Sequence, residues 1–106
     1  MKVTAEWRSP VTSKRFSMGK LCLTRGVNDQ VADDDSFSRF VWNSLLRHAR
    51  GDWGDMCPED KSENELALAR GDLRLFSAYE STGLPKIWII TEADRSATTV
   101  LFPSEY

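Results

Sequence analysis

The sequence predicts an α+β domain in which two helices pack on one face of a four-stranded, mainly antiparallel sheet, in the order β-α-α-β-β-β. Apolar residues alternate near residue 20 and through the last third of the chain, as they do in half-buried strands. Two segments with helical spacing and capping residues lie between these strands. The length of 106 residues, with 41% hydrophobic and 28% charged residues, is that of one globular domain.

The first part of the chain carries the weakest pattern. Residues 1–15 lack periodicity and contain Ser9 and Pro10, so we expect a loosely ordered N-terminal arm or an edge strand there. A single α+β domain is predicted over residues 16–106. Its first strand is KLCLT, residues 20–24, in which alternate leucines point to one side. The RGVND segment that follows is predicted to break this strand as a turn.

The first predicted helix is DDDSFSRFVWNSLLRHAR, residues 33–50. The run Asp33-Asp34-Asp35-Ser36 supplies cap candidates, and acidic residues suit the partial positive charge of a helix N-terminus. Gly51 stands where a left-handed residue ends many helices. The residues that share one apolar stripe of this helix are Phe37, Phe40, Val41, Ser44, Leu45 and His48.

A second, shorter helix and three strands complete the predicted domain. Ser62 and Glu65 fit a capping box, while Pro58 offers an earlier start, and Gly71 ends the helix. The short links between the last strands favour an antiparallel meander. These strands are LRLFSAY (73–79), KIWIIT (86–91) and ATTVLF (97–102).

Charge and hydropathy limit the classes of partner. The chain has 14 Lys and Arg against 16 Asp and Glu, a balance that argues against a nucleic-acid partner. The bases near the first strand, together with Phe16, are better explained as part of a mixed-charge surface. No segment approaches the roughly 20 apolar residues of a membrane span, and the first residues lack the apolar run of a signal peptide. We therefore expect a cytoplasmic protein with no membrane partner and with reduced cysteines.

The segment RHARGDWGD, residues 47–55, is the main candidate for a reactive site. His48 is the only histidine of the chain, and Asp52 or Asp55 could orient it as a general base. In the structural alternative, His48 ends the buried stripe of the helix and GDWGD forms a tight turn that Trp53 pins to the core. The sequence favours the structural alternative.

Metal and thiol chemistry have weaker support. Asp52, Asp55, Glu92 and Asp94 could supply oxygen ligands to Mg²⁺, but no ligand-spacing motif is present, so we predict neither a metal site nor a cofactor. Cys22 falls within a strand pattern, which is typical of an inert buried thiol. Cys57 precedes Pro58 at a possible helix start, where a lowered pKa would make it the more reactive of the two thiols, although an inert thiol remains the preferred interpretation.

Several phrases of the sequence are distinctive together, above all GDWGD and the pattern TEADRS-TTVL-P-EY. Over roughly residues 18 to 106 the chain resembles a group of small bacterial proteins labelled hypothetical or plasmid-related, which occur on chromosomes and mobile elements. No activity is established for that group. The resemblance therefore implies only an association with mobile elements and with defence or counter-defence gene neighbourhoods.

These observations together favour a non-enzymatic interaction or accessory module with a protein partner. Tryptophan, tyrosine and arginine dominate binding energy at interfaces, and such residues occur in three polar turns. The predicted contact surface comprises Trp53, Asp94, Arg95 and Tyr106. The alternative is a small metal- or His-dependent hydrolase or nuclease that uses His48 with Asp52, Asp55 and Asp94.

Overall fold

A computed structural model describes residues 3–6 and 13–106 of the chain. Its five strands form one sheet in the order β1-β2-β5-β4-β3. The strands are β1 (Val3–Glu6), β2 (Lys20–Thr24), β3 (Leu75–Ser81), β4 (Leu84–Thr91) and β5 (Ala97–Leu101). The helices are α1 (Arg25–Asp33), α2 (Asp35–Ala49) and α3 (Pro58–Arg70), and a short 3-10 helix spans Pro103–Glu105.

The predicted α+β class and the antiparallel meander of the last three strands are confirmed. β3 pairs with β4 and β4 pairs with β5, both antiparallel. The sheet is nevertheless mixed, because β2 runs parallel to β5. Alternating hydrophobicity reports that a strand is half-buried but contains no information on the direction of its neighbour.

The edge of the sheet next to β2 is formed by β1, which pairs antiparallel with β2. The sheet therefore has one strand more than the four predicted. The predicted arm or edge strand at residues 1–15 falls partly on residues 1–2 and 7–12, which lie outside the described residues.

The core lies between one face of the sheet and helix α2. Asp34, one of the four predicted cap candidates, caps this helix, since its carboxylate accepts a hydrogen bond from the Phe37 backbone amide at 3.1 Å. Phe37, Val41 and Leu45 of the predicted stripe are fully buried. The sheet residues in the same hydrophobic cluster are Leu21, Leu23, Tyr79, Ile87, Ile89 and Val100. Because side chains alternate along a strand, this set occupies one face of the sheet.

The sequence did not predict α1, so the structure has three helices in the described ranges instead of two. The RGVND segment does not form a turn but begins a helix of nine residues, with Val27 buried on its inner side. Thr24 precedes this helix at the N-cap position, yet its side chain makes no local capping hydrogen bond. Thr24 is a residue type that often caps helices, but the hydrogen bond that would do so locally is not formed.

The start of α3 also differs from the capping-box prediction. The helix begins at Pro58, one turn before Ser62, and proline at this position removes an amide that would have no partner within the helix. Glu65 consequently lies in the second turn, and its side chain is available for tertiary contacts. None of the helices in the described ranges has the length and apolar character needed to cross a membrane.

Glu105 supplies the missing cap of α1 from the far end of the chain. One carboxylate oxygen accepts a hydrogen bond from the Thr24 hydroxyl at 2.6 Å, and the other accepts one from the Gly26 amide at 3.0 Å. The Phe102 amide donates to the same carboxylate at 3.0 Å. Burial raises the pKa of Glu105, but these hydrogen bonds outweigh that effect and the net shift is downward.

We expect Glu105→Gln to lower the free energy of unfolding by about 1–2 kcal/mol, the scale of a lost helix cap or charged hydrogen bond. Denaturant unfolding at pH 7 measures this loss, with Glu63→Gln on an exposed part of α3 as the matched control. Because folding lowers the pKa of Glu105, its contribution is present above the unfolded pKa and is lost as the pH falls through the folded pKa. A difference between wild type and variant that stays constant from pH 7 to pH 3 would contradict this assignment.

Candidate functional site

The GDWGD segment lies along the free edge of β3. The Trp53 carbonyl accepts a hydrogen bond from the Ala78 amide at 3.3 Å, and the Asp55 amide donates to the Ala78 carbonyl at 2.7 Å. The Asp55 carboxylate then accepts a hydrogen bond from the Glu80 amide at 2.9 Å. The segment thus satisfies backbone groups that β3, as the last strand of the sheet, would otherwise leave unpaired.

Asn64 of α3 continues this coverage of the edge. Its side-chain nitrogen donates to the Phe76 carbonyl at 2.6 Å, and its side-chain oxygen accepts from the Phe76 amide at 3.0 Å. The amide side chain therefore pairs with Phe76 as a neighbouring strand would. The backbone amides of Phe76, Ala78 and Glu80, which alternate along the outer edge of β3, all have partners.

Gly54 allows the segment to approach β3 closely. Its φ of 74° lies in the left-handed region, and it forms an isolated parallel bridge with Ala78. A Cβ atom at this position would overlap the Ala78 carbonyl oxygen and contact the Tyr79 ring. The second glycine of GDWGD is therefore required both by its backbone conformation and by the space available.

Trp53 holds the segment to the core, as the structural alternative predicts. Its side chain is only 3% exposed and packs with Ala67 and Leu75 in a small hydrophobic cluster. The indole nitrogen donates to Glu65 of α3 at 2.8 Å. This hydrogen bond is the largest factor that lowers the pKa of Glu65, which also pairs with Arg15 at 3.1 Å. Trp53 is therefore part of the scaffold rather than an exposed contact residue.

Asp52 closes the end of α2. Its carboxylate accepts two hydrogen bonds from the Arg47 guanidinium, at 2.7 and 3.2 Å, and one from the Gly54 amide at 3.1 Å. The bond from Arg47 is the main reason that the pKa of Asp52 is lowered. Its backbone carbonyl accepts a hydrogen bond from the Tyr79 hydroxyl at 2.6 Å. The hydrogen bonds of Asp52 thus stabilise the turn.

His48 is buried within a chain of hydroxyl groups. Nδ1 lies 2.5 Å from the Ser77 hydroxyl, and Nε2 lies 2.9 Å from the Thr91 hydroxyl. The Thr91 hydroxyl contacts that of Thr98 at 2.7 Å, and Thr98 donates to the Met18 carbonyl at 2.7 Å. The imidazole itself is 0% exposed.

The direction of this chain places a proton on Nε2 of His48. Thr98 uses its only proton on a carbonyl, so Thr91 donates to Thr98 and must accept from Nε2–H of His48. In the neutral imidazole Nδ1 accepts a hydrogen bond from the Ser77 hydroxyl. Burial lowers the pKa of His48 from 6.5 to about 3, consistent with this neutral form. A general base must reach a substrate proton, and this buried, doubly bonded ring offers no such access.

The predicted contact residues Asp94 and Arg95 serve the turn between β4 and β5. The Asp94 carboxylate accepts a hydrogen bond from the Ser96 amide at 2.9 Å. The Arg95 guanidinium donates to the carbonyls of Leu73 at 2.6 Å and of Ala67 at 3.2 Å. Arg95 thereby ties this turn to the C-terminal part of α3, whose carbonyls carry partial negative charge. GDWGD instead bonds β3 further along the strand, so the two turns serve different parts of the fold.

The two cysteines, which were the candidates for thiol chemistry, have different surroundings. Cys22 is buried in β2, whereas Cys57 is exposed at the N-cap of α3. The Asp60 backbone amide lowers the pKa of Cys57, but the neighbouring carboxylates outweigh this effect and raise it overall, contrary to the expectation for a helix start. Among the described residues, no group of three or more His, Cys, Asp or Glu side chains could hold a metal ion.

Tyr106, the fourth predicted contact residue, belongs to a different surface. Its ring packs edge-on against Trp88 with centroids 5.8 Å apart, and Trp88 contacts Phe76 at 4.9 Å. These three residues form the aromatic cluster, on the face of the sheet opposite to the α2 core. Arg74 donates to the Tyr106 hydroxyl and lies 5.4 Å from the centre of its ring. Tyr106 is 57% exposed, so the cluster reaches solvent.

A groove adjoins the aromatic cluster, between the first turns of α3 and the start of β3. Its volume is about 420 Å³. Arg74 and Phe76 belong both to the groove and to the surroundings of Tyr106, which makes the two features continuous. Asn64 contributes to the lining, together with Met56, Asp60, Glu63, Leu73, Arg74 and Phe76.

The sequence interpretation missed most of this surface. The predicted strands LRLFSAY and KIWIIT contain Arg74, Phe76 and Trp88, but these three residues received no role in the predicted contact surface. The available signal was the presence of aromatic residues on the second face of two adjacent strands, which pair Ala78 with Trp88. The position of Tyr106 beside them depends on the tertiary fold.

Comparison of the chain with protein-family models, with curated proteins and with solved structures gives no significant match.

We expect Trp53→Ala to lower the free energy of unfolding by about 3–5 kcal/mol, because it removes a large buried ring from beside the β3 edge. Trp53→Phe retains a ring but loses the hydrogen bond to Glu65, so a smaller loss of about 1 kcal/mol is expected. Chemical denaturation measures both values. Equal losses in the two variants would contradict the assignment of Trp53 mainly to packing.

We also expect the stability of the protein to decrease as the pH falls below about 6.5. The folded pKa of His48 is lower than the unfolded one, so between pH 6.5 and 3 the unfolded chain binds more protons. In this range the free energy of unfolding falls by up to about 1.4 kcal/mol for each pH unit. Above pH 6.5 His48 contributes nothing to this pH dependence. Urea denaturation from pH 8 to pH 5 measures the slope, and His48→Gln should abolish most of it. An unchanged slope in that variant would show that other groups cause the pH dependence.

Proposed function

We propose that the protein is a non-enzymatic module that binds another protein. Its contact surface comprises the aromatic cluster of Phe76, Trp88 and Tyr106 together with Arg74 and the adjoining groove. The observation that carries this proposal is the continuity of an exposed tyrosine, an arginine and a groove on one side of the sheet. Trp53, Asp94 and Arg95, which the sequence placed in this surface, are replaced by residues of β3 and β4.

The composition of this surface supports a protein partner. Tyrosine, tryptophan and arginine are the residue types that most often dominate binding energy at protein interfaces. The contact with Trp88 and the hydrogen bond with Arg74 hold the exposed Tyr106 ring in place. A side chain that is ordered before binding loses less conformational entropy when a partner packs against it.

The hydrolase alternative has less geometric support. His48 is bonded to Ser77 and Thr91, while the carboxylates of Asp52 and Asp55 bond Arg47 and the backbone of β3. A catalytic base requires an orienting partner and access to substrate. The contacts of these residues instead account for the fold.

A pair of single substitutions tests the proposal. We expect Tyr106→Ala and Arg74→Ala each to weaken capture of the protein partner from cell extract at least tenfold, because each removes a side chain from the centre of the surface. Arg39→Ala, an exposed arginine on α2, is the matched control and should retain the partner. Quantitative affinity capture by mass spectrometry provides the measurement.

Thermal unfolding of the same variants separates binding from folding, since the two surface substitutions should change the melting temperature by only a few degrees. A partner that both surface variants retain at the level of wild type would overturn the proposed surface. Loss of the partner from the Arg39→Ala control would overturn it as well.

A further inference from the structure

We infer that the groove between α3 and β3 takes the side chain of an arginine or lysine from an extended segment of the partner protein. This inference rests on the proposed function and specifies the chemistry that its partner must carry. Three properties of the groove support it: an apolar lining, carboxylates on one side and continuity with the aromatic cluster.

The apolar lining suits the aliphatic stem of a basic side chain. Met56 and Phe76 are half-buried in the groove, and Leu73 is 38% exposed beside them. Arginine and lysine bury their methylene groups against apolar surface while the charged end stays hydrated or paired. A short polar side chain would leave this lining in contact with water.

The charge of the groove favours a cation. Asp60 and Glu63 are three residues apart on α3, so their carboxylates emerge on the same side of the helix. Both residues are exposed, and they face an occupant of the groove together. Charges interact more strongly once an occupant excludes water from between them. An acidic side chain would be repelled here, and a neutral apolar one would desolvate the carboxylates without compensation.

Arg74 is the one basic residue in the lining, and its position limits its effect on such an occupant. Its guanidinium donates to the Tyr106 hydroxyl and lies over the Tyr106 ring, on the side towards the aromatic cluster. The Asp60 carboxylate also has a partner, the Cys57 thiol at 3.1 Å, and neither hydrogen bond removes a charge, so the lining has two carboxylates against one guanidinium. The net charge offered to an occupant is negative.

The groove is continuous with the aromatic cluster, and this continuity favours a partner that binds as an extended segment. Phe76 contacts Trp88 and also lines the groove, so residues next to the bound cation would lie against the aromatic cluster. In an extended strand, alternate side chains point to the same side. A basic residue in the groove and an apolar residue two positions away on the cluster would satisfy both parts of the surface.

The test uses three pools of seven-residue peptides with apolar and neutral flanking residues and a central arginine, citrulline or glutamate. Citrulline matches arginine in shape but is uncharged. We expect the arginine pool to bind the intact protein at least tenfold more tightly than the citrulline pool, with the glutamate pool weakest. Fluorescence anisotropy gives the affinities, and the indole NMR signal of Trp88 should shift while that of Trp42 on α2 does not.

Matched variants of α3 locate the charge effect. Asp60→Asn and Glu63→Gln should each weaken the arginine pool at least threefold and leave the citrulline pool unchanged. Glu59→Gln, in the first turn of the same helix but outside the groove lining, is the control and should have no effect. Equal weakening by Glu59→Gln would indicate a general charge effect and overturn the assignment to the groove.

The outcomes distinguish this inference from the proposed function. If the arginine and citrulline pools bind equally and Tyr106→Ala weakens both, the inference of a basic side chain in the groove is overturned. The proposed contact surface is then supported. Binding of N-acetylarginine amide as tightly as the peptides would overturn the extended segment. If no pool binds, the inference is overturned, and the capture experiment with Tyr106→Ala decides the proposed function separately.

Discussion

The outer edge of β3, which has no neighbouring strand, imposes the main constraint on this fold. An edge strand presents a row of backbone groups that must be paired or covered, because otherwise they attract strands of other chains. Here two different elements cover it: the GDWGD segment pairs with Ala78 and Glu80, and the Asn64 side chain pairs with Phe76. The turn after α2 and the position of α3 both follow from this requirement.

The same constraint accounts for the contacts of most polar residues in RHARGDWGD. Trp53 anchors the covering segment by packing on the core and donating to Glu65, and its ring lies edge-on to His48 at 5.6 Å. Asp52 and Asp55 bond the segment to α2 and β3. His48 connects α2 to β3 and β4 through hydroxyl groups, so every polar atom that folding buries there has a partner.

The division between scaffold and surface follows from the two sides of β3. Ser77 and Tyr79 point to the helical core, whereas Arg74 and Phe76 point to the opposite side, where Trp88 and Tyr106 are their neighbours. On that second face Ala78 is only 3% exposed, whereas Phe76 is half-buried and Arg74 is exposed. One strand thus stabilises the domain and carries part of the proposed contact surface.

The sequence by itself determined the α+β class, α2 with a cap within Asp33-Asp34-Asp35-Ser36, and the β3-β4-β5 meander, because periodicity and capping residues are local signals. It also identified Trp53 as the residue that pins the turn. Only the tertiary structure decided the rest: α1 takes its cap from Glu105, β2 lies parallel to β5, and Tyr106 joins Trp88 instead of Trp53. The physical reason is that a local pattern records which side of an element is buried, whereas the partner on that side is set by contacts between residues as far apart as Gly26 and Glu105.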